Sequence, residues 1–127
     1  MNEEGTNYGK ELIIDLHDCD PALFKRPVLK RFFEELCDLI GMQRSKLTWW
    51  DDYKVPVAKR QTEPHLKGTS AVQFIMTSSI TVHALDLLGK VYINIFSCKD
   101  FDGKKAVEFC KKFFGGRVVR SSTVLRK

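Results

Sequence analysis

The sequence predicts an α+β fold, a two-layer α/β sandwich in which an antiparallel sheet carries two helices packed on one face. Three observations predict it. Two segments repeat apolar residues at spacings of three and four, the period of an amphipathic helix. The other regular segments are short runs of branched and aromatic residues bounded by Gly, Pro and Asp, which is how strands read. The two kinds interleave in the order β-α-β-β-β-α-β, which suits one sheet with both helices on the same side.

The first seven residues are polar and are expected to fray. After the Gly9 breaker, residues 10–15 are rich in branched side chains and form the first strand. Asp20-Pro21 marks a turn. Leu29, Phe32, Phe33, Leu36, Leu39 and Ile40 then recur at helical spacing, and Gly41 is placed to end that helix. A strand follows at residues 46–50. Residues 51–67 hold Pro56, Pro64 and several charges, and read as a long loop. From Gly68 the chain is strongly β-prone over residues 70–76, 80–85 and 91–96, with a hairpin around Leu88-Gly89-Lys90. Asp100 or Asp102 can cap a second helix whose stripe is Ala106, Val107, Phe109, Cys110, Phe113 and Phe114. Gly115-Gly116 stops it, and residues 117–125 form the last strand.

With 127 residues and 14.6 kDa, the chain is expected to be a single domain over 1–127. Hydrophobic residues at 43% and charged residues at 29% exclude extended disorder. The apolar runs are too short to cross a bilayer, and the acidic start Met1-Asn2-Glu3-Glu4-Gly5 is unlike a signal peptide. A soluble cytoplasmic protein is expected. The net charge of +5 is compatible with anionic partners without requiring them. Cys19, Cys37, Cys98 and Cys110 are widely spaced and expected to be reduced thiols. His17 and Cys19 lack a CxxC or HxxxH companion, so no metal is expected.

The chemistry concentrates between Gly68 and Cys98. Ser70, the Thr77-Ser78-Ser79 run, His83 and Cys98 can converge at one end of a sheet. Along a strand from Ser79 to His83 the pleat puts Ser79, Thr81 and His83 on one face. Ser and Thr are equally ordinary as polar strand residues, and Cys98 as a small buried hydrophobe. Trp49-Trp50 can pack an edge or stack on a flat ligand. Only one of the two can line a pocket, because neighbours on a strand face opposite ways. Asp15 is a site candidate because an acidic residue on a core-facing strand is costly unless paired. His17 and His65 read as solvated, and the basic tail of Arg117, Arg120, Arg126 and Lys127 as a charged edge.

These residues carry a resemblance to the short prokaryotic S-adenosylmethionine decarboxylases, pyruvoyl-dependent enzymes whose hallmark is Glu-Ser-His-Ile-Ser-Ile-His followed by Val-Asp-Ile-Phe-Thr-Cys. Here those read Thr77-Ser78-Ser79-Ile80-Thr81-Val82-His83 and Ile93-Asn94-Ile95-Phe96-Ser97-Cys98. The opening Gly9-Lys10-Glu11-Leu12-Ile13-Ile14-Asp15, ending in Asp18-Cys19-Asp20, is also similar to the family's first strand.

The resemblance implies self-cleavage between Thr77 and Ser78. Ser78 would become a pyruvoyl group, the only cofactor, with no metal. His83 would be the processing base, Ser70 would assist the processing intermediate, and Cys98 would be the proton donor. The pyruvoyl carbonyl would take the substrate amine as a Schiff base and act as electron sink for decarboxylation in polyamine (spermidine) synthesis. A thiol suits proton return because its acidity can be tuned toward neutrality. Asp15, Trp49, Thr77 and Ser79 stand as substrate-binding candidates.

The chain departs from the family at Thr77, for glutamate, and at Ser79, for histidine. Ala84-Leu85-Asp86 stands where the family has Trp-Pro-Glu. The substrate is therefore open between S-adenosylmethionine and a basic amino acid, arginine or ornithine. The resemblance also implies a homodimer with its sites at the subunit contact, a small-molecule substrate, and neither nucleic acid nor membrane as partner. Two other classes stand beside this one. One is an unprocessed homologue that binds without catalysis; the other is a small nucleic-acid-binding domain, whose affinity would fall steeply with salt.

Overall fold

Alternation decides the layers. In the strand Ser78–Leu85 (β4), Ser78, Ile80, Val82 and Ala84 are buried while Ser79, Thr81 and His83 are not. The strands Gly9–His17 (β1), Gly68–Ile75 (β3) and Lys90–Ser97 (β5) alternate in the same way. One face of the sheet is therefore covered, and the other is open. The computed structural model describes residues 7–127, so the expected fraying of the first residues falls almost wholly outside the described residues.

Arg26–Ile40 forms α1 and Gly103–Phe114 forms α2. Pro27 sits in the first turn of α1, where its missing N–H costs nothing. Gly41 and Gly115 end the helices at φ 71° and 64°, a conformation glycine takes without strain. Of the two candidate caps for α2, Asp102 serves, its side chain accepting from Lys105 N–H at 3.1 Å.

Both helices lie on the covered face. Phe32 of α1 is fully buried, with ring centroids 4.9–5.7 Å from Phe33, Phe109, Phe113 and Phe114. Leu39, expected in the helix stripe, is exposed, and Cys37 takes a core position.

Arg44–Trp50 (β2) and Arg117–Arg126 (β6) complete six antiparallel strands in the order β2-β3-β4-β5-β1-β6. Four strands separate the helices, matching the segments expected at residues 46–50, 70–76, 80–85 and 91–96, whereas the order β-α-β-β-β-α-β counts one too few; β2 is an edge strand beside β3. β1 lies between β5 and β6. The loop of residues 51–67 is ordered by its acids and contains a short 3-10 turn, Val57–Lys59. Asp51 takes a two-point bond from Arg26 at 2.6 and 2.7 Å, and this bond holds its carboxyl below the usual carboxylate range. Asp52 accepts from Gln61 N–H and Lys67, both at 3.1 Å.

Candidate active site

β3 and β4 are joined by a two-residue turn, Met76-Thr77, with Ile75 paired to Ser78 across its base. Thr77 closes it at φ 58°. A β-branched residue is rarely found there, because Cβ crowds the backbone, and the cost is about 1–3 kcal/mol. The strained residue directly precedes Ser78, which is nearly buried at the start of β4.

Cys98 follows the end of β5 at the same sheet end. Its N–H donates to Ser78 Oγ at 3.2 Å, and the two side-chain heteroatoms are 4.0 Å apart. Of the four thiols Cys98 alone is exposed. Burial pushes Cys19 and Cys37 up to about 11 and Cys110 higher still, so those three are inert packing. A cleft of about 280 Å³ opens beside Cys98, walled by Tyr8, Gly9, Lys10, Lys99 and Leu125.

A second constellation occupies the open face at the far end of β4. Ser70 Oγ and His83 Nδ1 are 2.8 Å apart. Register places Trp50, Ser70, His83, Tyr92, Asp15 and Arg120 in one line across all six strands. A cavity of about 460 Å³ borders Ser70 and His83, with Trp50, Asp52, His65 and Tyr92 in its wall.

The four polar residues expected to converge thus form two pairs. Five residues along β4 at ~3.3 Å each put Ser78 and His83 about 17 Å apart, and the odd spacing puts them on opposite faces. Ser79, Thr81 and His83 do share the open face, as the pleat requires.

Asp15 points to the open face rather than the core, 4.0 Å from Arg120, near the His83 end. Ser79 lies on the open face at the Ser78 end, between Phe74 and Phe96. Of the tryptophans, Trp49 packs against the core with Arg26 over its ring, whereas Trp50 is 79% exposed and walls the cavity. Parity carried that signal: Leu47 and Trp49 share the apolar side of β2, so Trp50 must share the side of Ser70. Tyr8 and Tyr92 are further site residues without a motif to mark them.

Chemically, the Ser78 end offers a hydroxyl directly after a residue held in the left-handed region, with a thiol beside it. The Ser70–His83 end offers a base hydrogen-bonded to a hydroxyl.

A family model described as S-adenosylmethionine decarboxylase matches residues 10–127. Among solved structures, an adenosylmethionine decarboxylase from Aquifex aeolicus is similar at a TM-score of 0.73. It is 14% identical, over 94% of this chain and 91% of that one, a likeness that carries the fold alone. No curated protein matches.

Proposed function

Because the chain belongs to the S-adenosylmethionine decarboxylase family, we propose that it is a self-processing, pyruvoyl-dependent decarboxylase, cytoplasmic and acting in polyamine synthesis. The observation that carries this is Thr77 at φ 58° directly before Ser78, with Cys98 N–H on the serine oxygen. In the cut, Ser78 Oγ attacks the Thr77 carbonyl carbon and the amide becomes an ester. Loss of the Ser78 Cα proton then expels the Thr77 carboxylate, and water replaces the nitrogen, releasing ammonia. Relief of the left-handed Thr77 favours the first step.

The residues present fit a pyruvoyl group at position 78: it would begin a strand, beside a solvent-reachable thiol and an open cleft. Such a group supplies an electron sink for loss of carboxylate. Cys98 is our candidate for returning a proton to the substrate carbon.

His83 and Ser70 of the same chain are too far from Ser78 to serve it. We place them at the Ser78 of a second copy. A two-fold dimer that docks each chain's Ser70–His83 pair at the turn end of the partner's β4, where Ser78 and Cys98 lie, would give two shared sites. The substrate is a small cation, S-adenosylmethionine or a basic amino acid, with Asp15, Trp50, Thr77 and Ser79 as candidate contacts.

Intact mass under denaturing conditions tests the proposal. Fragments spanning residues 1–77 and 78–127, the second lighter by one ammonia than a serine-started peptide, are expected. A single species of 14.6 kDa after long incubation would instead leave an uncleaved binding homologue. The strain has its own test. Thr77→Gly is expected to slow cleavage several-fold while stabilising the uncleaved Ser78→Ala chain by about 1 kcal/mol in urea unfolding. Cleavage as fast as the parent's would mean that the turn's strain is not used.

A further inference from the structure

The peptide between Ser97 and Cys98 is held from both sides. On one side β1 crosses it so closely that a Cβ on Gly9 would fall 2.1 Å from the Ser97 carbonyl oxygen and 2.8 Å from Cys98 Cα, so only glycine fits there. On the other, Ser97 Oγ accepts the Lys99 N–H at 3.0 Å, a turn closed by a hydroxyl with Cys98 at its middle. Ser97 is 1% exposed and ends the buried side of β5, where Val91, Ile93 and Ile95 precede it. A hydroxyl in that row is costly without a partner. Its own proton goes to Met42 Sδ at 3.7 Å, a weak acceptor, so the firmer bond is the one it accepts. The Lys99 ammonium donates to the Gly41 carbonyl at 2.7 Å and ties down the far end of the turn.

The N–H of the clamped peptide, that of Cys98, donates to Ser78 Oγ at 3.2 Å. That oxygen changes charge in both steps of the cut. As Oγ attacks the Thr77 carbonyl carbon, its proton leaves and an O–C bond forms. The C–N bond breaks, and the nitrogen takes up a proton. In the elimination a base takes the Ser78 Cα proton, and the C–H pair becomes a Cα=Cβ bond. The Cβ–O bond breaks, and the same oxygen departs with the bonding pair as part of the Thr77 carboxylate. A donor already aimed at an oxygen that becomes anionic needs no reorganisation when the charge appears.

We propose that Ser97 is a positioning residue for self-cleavage, its hydroxyl fixing the turn that aims the Cys98 N–H at the Ser78 oxygen. The proposal rests on the reading of the chain as self-processing.

Ser97→Ala removes the acceptor that closes the turn and leaves Cys98 in place. Lys99 is exposed, so water can take over its N–H, and the variant is expected to fold. Cleavage, followed as fragment mass against time, is expected to slow about tenfold, less than the roughly 100- to 1,000-fold cost of losing a whole oxyanion donor. Ser97→Thr keeps the acceptor and is expected to recover most of the rate. Urea unfolding of both substitutions in the Ser78→Ala background separates lost stability from lost aim. A folded Ser97→Ala chain that cleaves as fast as the parent would overturn the proposal. So would equal slowing in Ser97→Thr at an unchanged urea midpoint. A second measurement needs no Ser97 variant and no cleavage. In the Ser78→Ala chain, where the Cys98 N–H has lost its acceptor, the Lys99 N–H is expected to exchange at least about tenfold more slowly than that of Cys98, after correction for intrinsic rates. Equal protection of the two would overturn the proposal as well. A parent that never yields fragments would remove self-processing and this proposal together, whereas a cleaving parent beside an indifferent Ser97→Ala would remove this proposal alone.

Discussion

Co-expressed His83→Ala and Ser78→Ala chains are expected to restore cleavage that neither variant shows alone. The expectation follows from the proposed shared site together with the separation of the two pairs. His83 lies five residues from Ser78 on a straight strand and on the opposite face, so a chain cannot present its own His83 to its own Ser78. In a mixed dimer, one site combines the serine of the His83→Ala chain with the imidazole of the Ser78→Ala chain. The other site has neither. With random pairing at equal expression, about half of the His83→Ala chains should be cut and none of the Ser78→Ala chains. Mass spectrometry of differently tagged chains reads both fractions. No cleavage in the mixture would sink the shared site, and full cleavage of His83→Ala by itself would remove His83 from processing.

Phe32→Ala should be the most damaging single change in the helix layer. Its ring is fully buried and touches four other phenylalanines from both helices. Its removal combines lost transfer energy with a cavity that rigid neighbours cannot close, about 3–5 kcal/mol. Against a typical total of about 5–15 kcal/mol, that is a large fraction. Urea unfolding in the Ser78→Ala background measures it, with Leu39→Ala, at an exposed position, expected to change little. A loss below about 1 kcal/mol would mean the layer repacks around the gap.

Much of this was legible in the residues. The helices announced themselves through period and through Gly41 and Gly115, and the strands through branched runs. Leu39 was misread because it sits at the border of the apolar stripe, where spacing alone does not separate a core position from an exposed one. The insertion of β1 between β5 and β6 was not legible. Periodicity describes a segment's faces, whereas pairing between segments distant in the chain depends on packing. The site was half legible: the motif located Ser78, His83 and Cys98 in the chain. Strand parity and rise, applied to the same residues, would have separated them into two pairs and preferred Trp50 to Trp49. Tyr8 had only the neighbouring Gly9 to signal it, and a lone glycine ahead of a strand has many ordinary uses.

The strand order has a consequence for a protein cut before Ser78. β1, β2 and β3 would belong to one fragment and β4, β5 and β6 to the other, and the order β2-β3-β4-β5-β1-β6 weaves them together. The ladders β3–β4, β5–β1 and β1–β6 would all run between different polypeptides. The fragments would stay associated at any working concentration. Once denatured, however, they would have to find each other by collision, so regain of structure would depend on dilution. The cut would turn a reversible folder into a molecule whose persistence is set by how slowly it comes apart.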